Sequence, residues 1–552
     1  MNASNLAPAK EFIDFVNQSP TPFHVVHNCV TRLEAKGFTR LHERDSWANG
    51  KLQRGGKYFV TRNQSTIIAF TVPPADKEKE KEEKPLGMSI VGCHTDSPRF
   101  IIKPVSKREK GGFAEVGVET YGGGIWATWL DRDLGIAGRV VVSGAKGASS
   151  STYTSHLIHN PDPILRMPTL AIHLDRTVND KLAYNAESQM VPILALASKE
   201  LNKAFVDENN SSAEVSFADP LDITSHHHPI LLHTIAKSLT EELGEEVTPS
   251  QIHDFELSLY DTQSSTIGGA LSEFIFSPRI DNLFSSFAAL QGLILASESP
   301  APSDGRVSMI ALFDHEEVGS VSAFGAESNF IESCIERVAV ALKVEGESEA
   351  EAYQRTLASS FLLSSDVGHS CHPSFMDKHE DNHRSVPAAA SAARPCLIST
   401  SGSPLINSGI AIKSNAKQRY ATTSQTVFPL RRVAAEAGVP LQEYVVRNDM
   451  ACGSTSVSFF SLWLSGRALS PITVGPLVSK IGLRTVDIGA PTLSMHSYAS
   501  PSYLHRILHS LTFRTFSIRE MAGTRDIAYL IDLFEKFFER FGHVDTLAST
   551  MD

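Results

Sequence analysis

An almost unbroken apolar run, Val307–Phe313, ends against Asp314, His315, Glu316 and Glu317. Apolar runs of this length read as strands buried on both faces, the kind found in the middle of an α/β sheet. A second run, Met88–Val91, delivers Gly92, Cys93, His94, Thr95 and Asp96, and a third, Ser360–Ser364, leads to Asp366. In open α/β sheets ligands bind beyond the carboxyl ends of the strands. The acidic and imidazole groups after these runs can therefore converge although they are far apart in sequence.

The rest of the chain fits an α/β reading. Phe12, Ile13, Phe15 and Val16 give one face to a helix over Pro8–Asn17, and a second helix runs from Pro22 to a stop at Gly37. Lys57–Thr61 and Thr66–Val72 read as strands, and Ala75–Lys84 as a charged solvated loop. Ile280–Ala296 and Asp526–Phe541 carry apolar residues at helical spacing. From about Val105 to Asp254 the texture changes to glycine clusters and short β-like runs, among them Arg139–Val142 and Thr169–His173. We read residues 105–254 as a strand-rich domain inserted between the two parts of a main domain, 1–104 and 255–552, with Phe255–Leu259 returning to the main domain. His226, His227 and His228 are expected in a surface loop of the insertion.

Composition excludes several classes. Fifty Lys+Arg against 62 Asp+Glu give a net charge of −12, which argues against a nucleic-acid partner. Six cysteines with no paired spacing form neither a disulfide framework nor a thiolate metal site, and reduced thiols are expected. The first residues lack a basic segment followed by an apolar one, and no apolar run reaches the ~18 residues of a membrane span. Cytoplasmic residence is the expectation, with delivery of a folded assembly to a vacuole-like compartment compatible with it.

His94 and Asp96, Asp281, Glu316 and Glu317, and Asp366 all follow strand-like or loop-to-helix boundaries, and His496 is a further candidate. Imidazole and carboxylate donors without cysteine suit zinc or a related divalent ion. Of two adjacent glutamates, one can bind metal while its neighbour takes a proton. Asp96, two residues on from His94, falls on the same side of an extended chain and can orient the imidazole. Taken singly, each is also an ordinary helix cap or solvated acid.

Six blocks in order then resemble the aspartyl aminopeptidase family: GCHTDSPRF (Gly92–Phe100), EFIFSPRIDNL (Glu273–Leu283), FDHEEVGSVSAFGA (Phe313–Ala326), SSDVGHSCHPSF (Ser364–Phe375), IKSNAKQRYAT (Ile412–Thr422) and RTVDIGAPTLSMHS (Arg484–Ser497). AIHLDR (Ala171–Arg176), in the inserted part, matches as well. The resemblance implies a zinc-peptidase fold, a mixed central sheet with flanking helices, and an inserted β-rich dimerisation or lid domain. It implies two divalent metal ions, zinc by expectation, held by His94, Asp281, Glu317, Asp366 and His496, with Asp281 bridging. It makes Glu316 the general base and Asp96 the carboxylate behind His94. Peptides with an N-terminal Asp or Glu would be the substrates. Lys413 would face their acidic side chain, with Tyr420, His369 and Gly453 nearby, and His173 would reach a neighbouring subunit's site. A tetrahedral dodecamer is implied, with no membrane partner.

Three stretches depart from the family pattern, at roughly 385–403, 457–472 and 498–517. Removing the third restores the join from MHS into IREM, and the codons permitted at its ends are compatible with an in-frame retained intron; a real surface loop is the alternative. Two other functions stay open at this stage. One is a related dinuclear hydrolase of broader specificity, the other a non-catalytic assembly or peptide-binding relative.

Overall fold

A computed structural model of the chain describes residues 6–48, 50–75, 86–144, 153–179, 184–197, 222–300, 304–380, 404–450, 474–495 and 518–548. The three departing stretches lie outside the described residues, as does most of the charged segment 75–84. The described residues form two compact units. One runs up to Ser97 and resumes at Ser265, and the other comprises Pro98–Ser264 together with Ile518.

The first unit is built on a nine-stranded mixed sheet. Its strands lie in the order Thr39–Arg40, Lys57–Arg62, Thr66–Thr71, Val307–Phe313, Met88–His94, Phe361–Ser365, Arg484–Gly489, Ile410–Ser414, Leu441–Val445. The four from Val307–Phe313 to Arg484–Gly489 run parallel. Their register pairs His94 with Phe313, and Gly92 with Ser364. Parallel strands in this register bring the residues after Phe313, His94 and Ser365 to one edge of the sheet.

Alternation within the central strands explains the almost unbroken apolar run. Ile310 and Leu312 join one buried apolar cluster, while Val307, Met309, Ala311 and Phe313 join another. Successive side chains point to opposite faces of a strand. Both faces are covered here, so every position but Ser308 is apolar. Ile280–Glu298, Ser424–Ala437 and Asp526–Ala548 contribute to the first cluster, and Phe330–Ala341 and Val474–Ser479 to the second. Ile280–Glu298 is long and apolar enough to cross a membrane, but it is buried inside this core. A small three-stranded sheet, Thr266–Gly268, Phe274–Ser277 and Glu520–Gly523, leads directly into that helix.

The second unit carries a six-stranded sheet whose paired strands are all antiparallel. The helix Pro229–Leu243 covers one face with Leu231, Leu232, Ile235 and Leu239. Phe255–Leu259 lies in this sheet, inside the strand Ile252–Asp261 paired with Leu134–Ser143, and not in the first unit as the sequence suggested. Thr169–His173 forms no strand. His227 and His228 are buried, contrary to a surface loop: His227 Nδ1 lies 2.8 Å from Ser106 Oγ and its ring packs 4.5 Å from that of Phe255.

Candidate metal centre

His94 closes the strand Met88–His94 and is 1% exposed. Its Nε2 lies 3.2 Å from Asp281 Oδ1, 3.6 Å from Asp366 Oδ1 and 3.9 Å from Glu316 Oε2. Its Nδ1 lies 3.1 Å from the Asp96 carbonyl oxygen and 3.4 Å from Asp96 Oδ1. The imidazole is thus surrounded by carboxylates that three separate segments supply.

Each segment reaches this point for a local reason. After Phe313 the chain turns through His315, whose φ of 63° is left-handed, into a short 3₁₀ helix, Glu316–Val318. Asp96 anchors that helix: its Oδ1 accepts the Glu316 N–H at 3.1 Å, and its Oδ2 the Glu317 N–H at 3.1 Å. Asp281 stands in non-helical conformation at the start of Ile280–Glu298. Its N–H donates to Glu520 Oε2 at 3.0 Å, and its carbonyl accepts from Ser97 Oγ at 2.5 Å. Asn282 donates from Nδ2 to the Ser365 carbonyl at 2.8 Å. Asp366 follows Phe361–Ser365 and donates its N–H to Ile488 at 3.0 Å.

Electrostatics sets the character of the site. Asp96, Asp281, Glu316, Glu317 and Asp366 gather around His94, with Lys413 at one side, 3.7 Å from Asp366 Oδ2. Two like charges 4 Å apart cost about 4 kcal/mol at an effective dielectric of ~20. Burial alone would push the His94 pKa down, but the carboxylates of Asp281, Asp366, Asp96 and Glu316 hold it well above its ordinary value. Burial pushes the Glu316 carboxyl well up; His94 pulls it back, and Glu317, Asp366 and Asp96 add to the rise.

A divalent cation fits this donor set. One ligand atom each from His94, Asp281 and Asp366 lies within 4.8 Å of the others. Asp366 Oδ1 is shielded from solvent and accepts no hydrogen bond from a described residue. Nitrogen and oxygen donors without thiolate match catalytic zinc or a related ion.

Of the other expected residues, Glu317 is buried beside Glu316 but stands outside that three-residue grouping. Lys413 is 3% exposed and donates from Nζ to the Val367 carbonyl at 2.9 Å. The Tyr420 ring lies 5.4 Å from Lys413 Nζ. His369 is half-buried, its ring 6.4 Å from that of Tyr444. His173 is exposed and belongs to the second unit. His496 and Gly453 lie outside the described residues. Glu520, Asn282, Tyr444 and Asp487 were not singled out from the sequence. Tyr444 pairs in register with Lys413, which no local pattern announces.

A profile of the aminopeptidase I zinc metalloprotease family matches residues 15–392 and 398–516. The chain belongs to this family. It is a metal-dependent aminopeptidase. The aspartyl aminopeptidase of Aspergillus oryzae is 42% identical over 561 residues, covering 98% of this chain and 97% of that protein. Among solved structures, one described as the Ape4 and Nbr1 complex matches with a TM-score of 0.80 and 36% identity, covering 100% of this chain and 88% of that one. The mApe1 dodecamer of S. cerevisiae matches with a TM-score of 0.72 and 25% identity, covering 99% of both chains. The family's zinc dependence agrees with the donors gathered around His94.

Proposed function

We propose that the chain removes N-terminal aspartate or glutamate from peptides, with two zinc ions held by His94, Asp281, Glu317, Asp366 and His496. The observation that carries the acid preference is Lys413, a buried ammonium 3.7 Å from Asp366 at the edge of the carboxylate cluster. A cation in a largely dry pocket selects a carboxylate partner over a neutral side chain, because an apolar substrate leaves the charge uncompensated. Tyr420 closes one side of the ammonium. The aspartyl aminopeptidase names of the relatives support the reading.

When bound, the metal polarises the scissile carbonyl and lowers the pKa of a water molecule. The chain's own residues do the rest. Glu316 takes the proton of the attacking water and returns it to the leaving amine. Burial raises its carboxyl above the ordinary glutamate value. Asp96 fixes the Glu316 backbone and the His94 ring together. Lys413 binds the substrate's acidic side chain, and His369 and Tyr420 flank it.

The reading extends to a homo-oligomer with tetrahedral dodecamer symmetry, in which residues 98–264 serve dimerisation and His173 reaches a neighbour's site. Leu170, Ile172 and Leu174, next to His173, are exposed in the single chain, and the S. cerevisiae relative is a dodecamer. The described cysteines, Cys29, Cys93, Cys334 and Cys371, are buried and form no disulfide among the described residues, which supports a reducing compartment such as the cytoplasm.

The deciding experiment compares hydrolysis of aspartyl, glutamyl and leucyl amides by the purified chain, before and after chelation and zinc return. Acid-selective, chelator-sensitive cleavage is expected, and Lys413→Ala should lose the selectivity while keeping bound metal. Selectivity that survives Lys413→Ala overturns the pocket assignment. A chain that binds no metal overturns the whole reading. Mass measurement of the native protein checks the assembly, and a monomer at micromolar concentration would refute it.

A further inference from the structure

The buried carboxylate of Asp487 takes no part in the chemistry above. It is 2% exposed and sits on the strand Arg484–Gly489. On one side it pairs with Ser364. On the other side the antiparallel register, Ala411 with Gly489 and Ile412 with Ile488, runs on to set Lys413 opposite Asp487. Lys413 in turn pairs with Tyr444. Residues in one cross-strand row project from the same face of a sheet. Asp487, Lys413 and Tyr444 therefore share a face, with the lysine in the middle.

Asp487 also holds a segment outside the sheet. Its Oδ2 accepts the Ala421 N–H at 2.6 Å, and its own N–H donates to Thr422 Oγ1 at 2.9 Å. The two bonds run in opposite directions between one residue and a dipeptide, which makes a clamp. That dipeptide directly follows Tyr420. It precedes Thr423, which caps the helix Ser424–Ala437 by accepting the Thr426 N–H. The connection from Lys413 to this helix is thus fixed at its end by Thr423 and just before it by Asp487. A side chain in place of Gly475 would overlap Asp487 Oδ1, so the carboxylate is also hemmed in from its other side.

We propose that Asp487 is a positioning residue for the acidic side chain of the substrate. By clamping Ala421 and Thr422 to the sheet it fixes the Tyr420 ring against Lys413, and from the same row it keeps the ammonium at the pocket. The inference rests on the acid-selective reading of Lys413 given above.

The test measures kcat and KM for aspartyl and leucyl amides, and bound zinc, in wild type, Lys413→Ala, Asp487→Ala, Asp487→Asn and Thr422→Val. Asp487→Ala is expected to raise the aspartyl KM about tenfold, with kcat within about twofold and the leucyl KM unchanged, the signature of lost uniform binding. Asp487→Asn keeps an acceptor oxygen for Ala421 and should return to within about threefold of wild type. Thr422→Val loses one arm of the clamp and should raise the aspartyl KM by about threefold. It leaves Asp487 in place, so it carries the test if Asp487→Ala does not fold. An unchanged aspartyl KM in Thr422→Val, or KM and kcat for both amides moving together in Asp487→Ala, overturns the proposal. Two failures are distinguishable. A wild type without acid preference overturns the Lys413 reading and this one together. A preference lost in Lys413→Ala but kept in the clamp variants overturns this one alone.

Discussion

Asp96 Oδ1 accepts the main-chain N–H of Glu316 at 3.1 Å and lies 3.4 Å from His94 Nδ1, while its Oδ2 accepts the Glu317 N–H. One carboxylate thereby sets the distance between the expected general base and a metal ligand. It is fully buried, so no water competes for it. Asp96→Ala should weaken zinc binding and activity each by about 10–100-fold, the usual cost of losing the group behind a ligating histidine. Zinc titration beside kcat checks this, and an unchanged zinc affinity would remove Asp96 from that role.

Glu316→Gln separates proton transfer from metal binding. The amide keeps the shape and the backbone bonds to Asp96 but cannot take a proton. Zinc content should stay at wild-type level while kcat drops by roughly 10²–10⁴-fold. Loss of zinc along with activity would instead make Glu316 a ligand.

Removal of metal leaves the carboxylates around His94 facing one another. Chelation should abolish cleavage and lower the melting temperature, and zinc return should restore both. A melting temperature that ignores the chelator would mean the cluster does not bind metal.

Asp526, fully buried at the start of the last helix, gives a pH dependence. Burial pushes its carboxyl up to about 7 from 3.8, although the N–H groups of Asn407 and Gly409 pull it back. Between about pH 4 and about pH 7 the unfolded chain has released this proton and the folded chain has not. The group's contribution is therefore full below about 4 and falls as pH rises to about 7, by roughly 4 kcal/mol in all. Above 7 it is flat. Asp526→Asn should remove this slope from denaturant unfolding curves taken at pH 4.5 to 7.5; a parallel slope in both proteins would contradict the assignment.

Gly489→Ala tests the wall behind Lys413. A Cβ there would overlap the Asp366 carbonyl oxygen and lie 3.1 Å from Lys413 Cε. Backbone and not a flexible tip is in the way, so the strand must shift. A stability loss of about 1–3 kcal/mol is expected, with a raised KM for acidic substrates. Wild-type stability and KM would show that the strand yields at no cost.

The sheet was legible because its central strands are buried on both faces, so Val307–Phe313 leaves little room for another reading. His94 and Asp366 were legible for a related reason: each follows such a strand, and the parallel register then aligns them. Asp487 and Glu520 were not. Their importance lies in bonds to Ala421 and to Asp281, which sit more than sixty and more than two hundred residues away, and nothing in their neighbouring residues signals this. Thr169–His173 misled in the opposite way. Leu170, Ile172 and Leu174 alternate as in a strand, yet they stay exposed, because alternation says only that one face is apolar and not what covers it. Phe255–Leu259 was seen as a strand but assigned to the wrong unit, since its partner Leu134–Ser143 is set by pairing and not by composition.

The bond from Asp281 to Glu520 has a consequence for the making of the protein. Glu520 is added to the chain more than two hundred residues after Asp281, on a strand that pairs with Phe274–Ser277 just ahead of it. Until the ribosome has released that strand, the loop carrying Asp281 lacks both its strand partner and its anchoring carboxylate. Hydrolytic power is therefore expected to wait for Glu520–Gly523, which would spare the newly synthesised peptides around a chain that stops short of it.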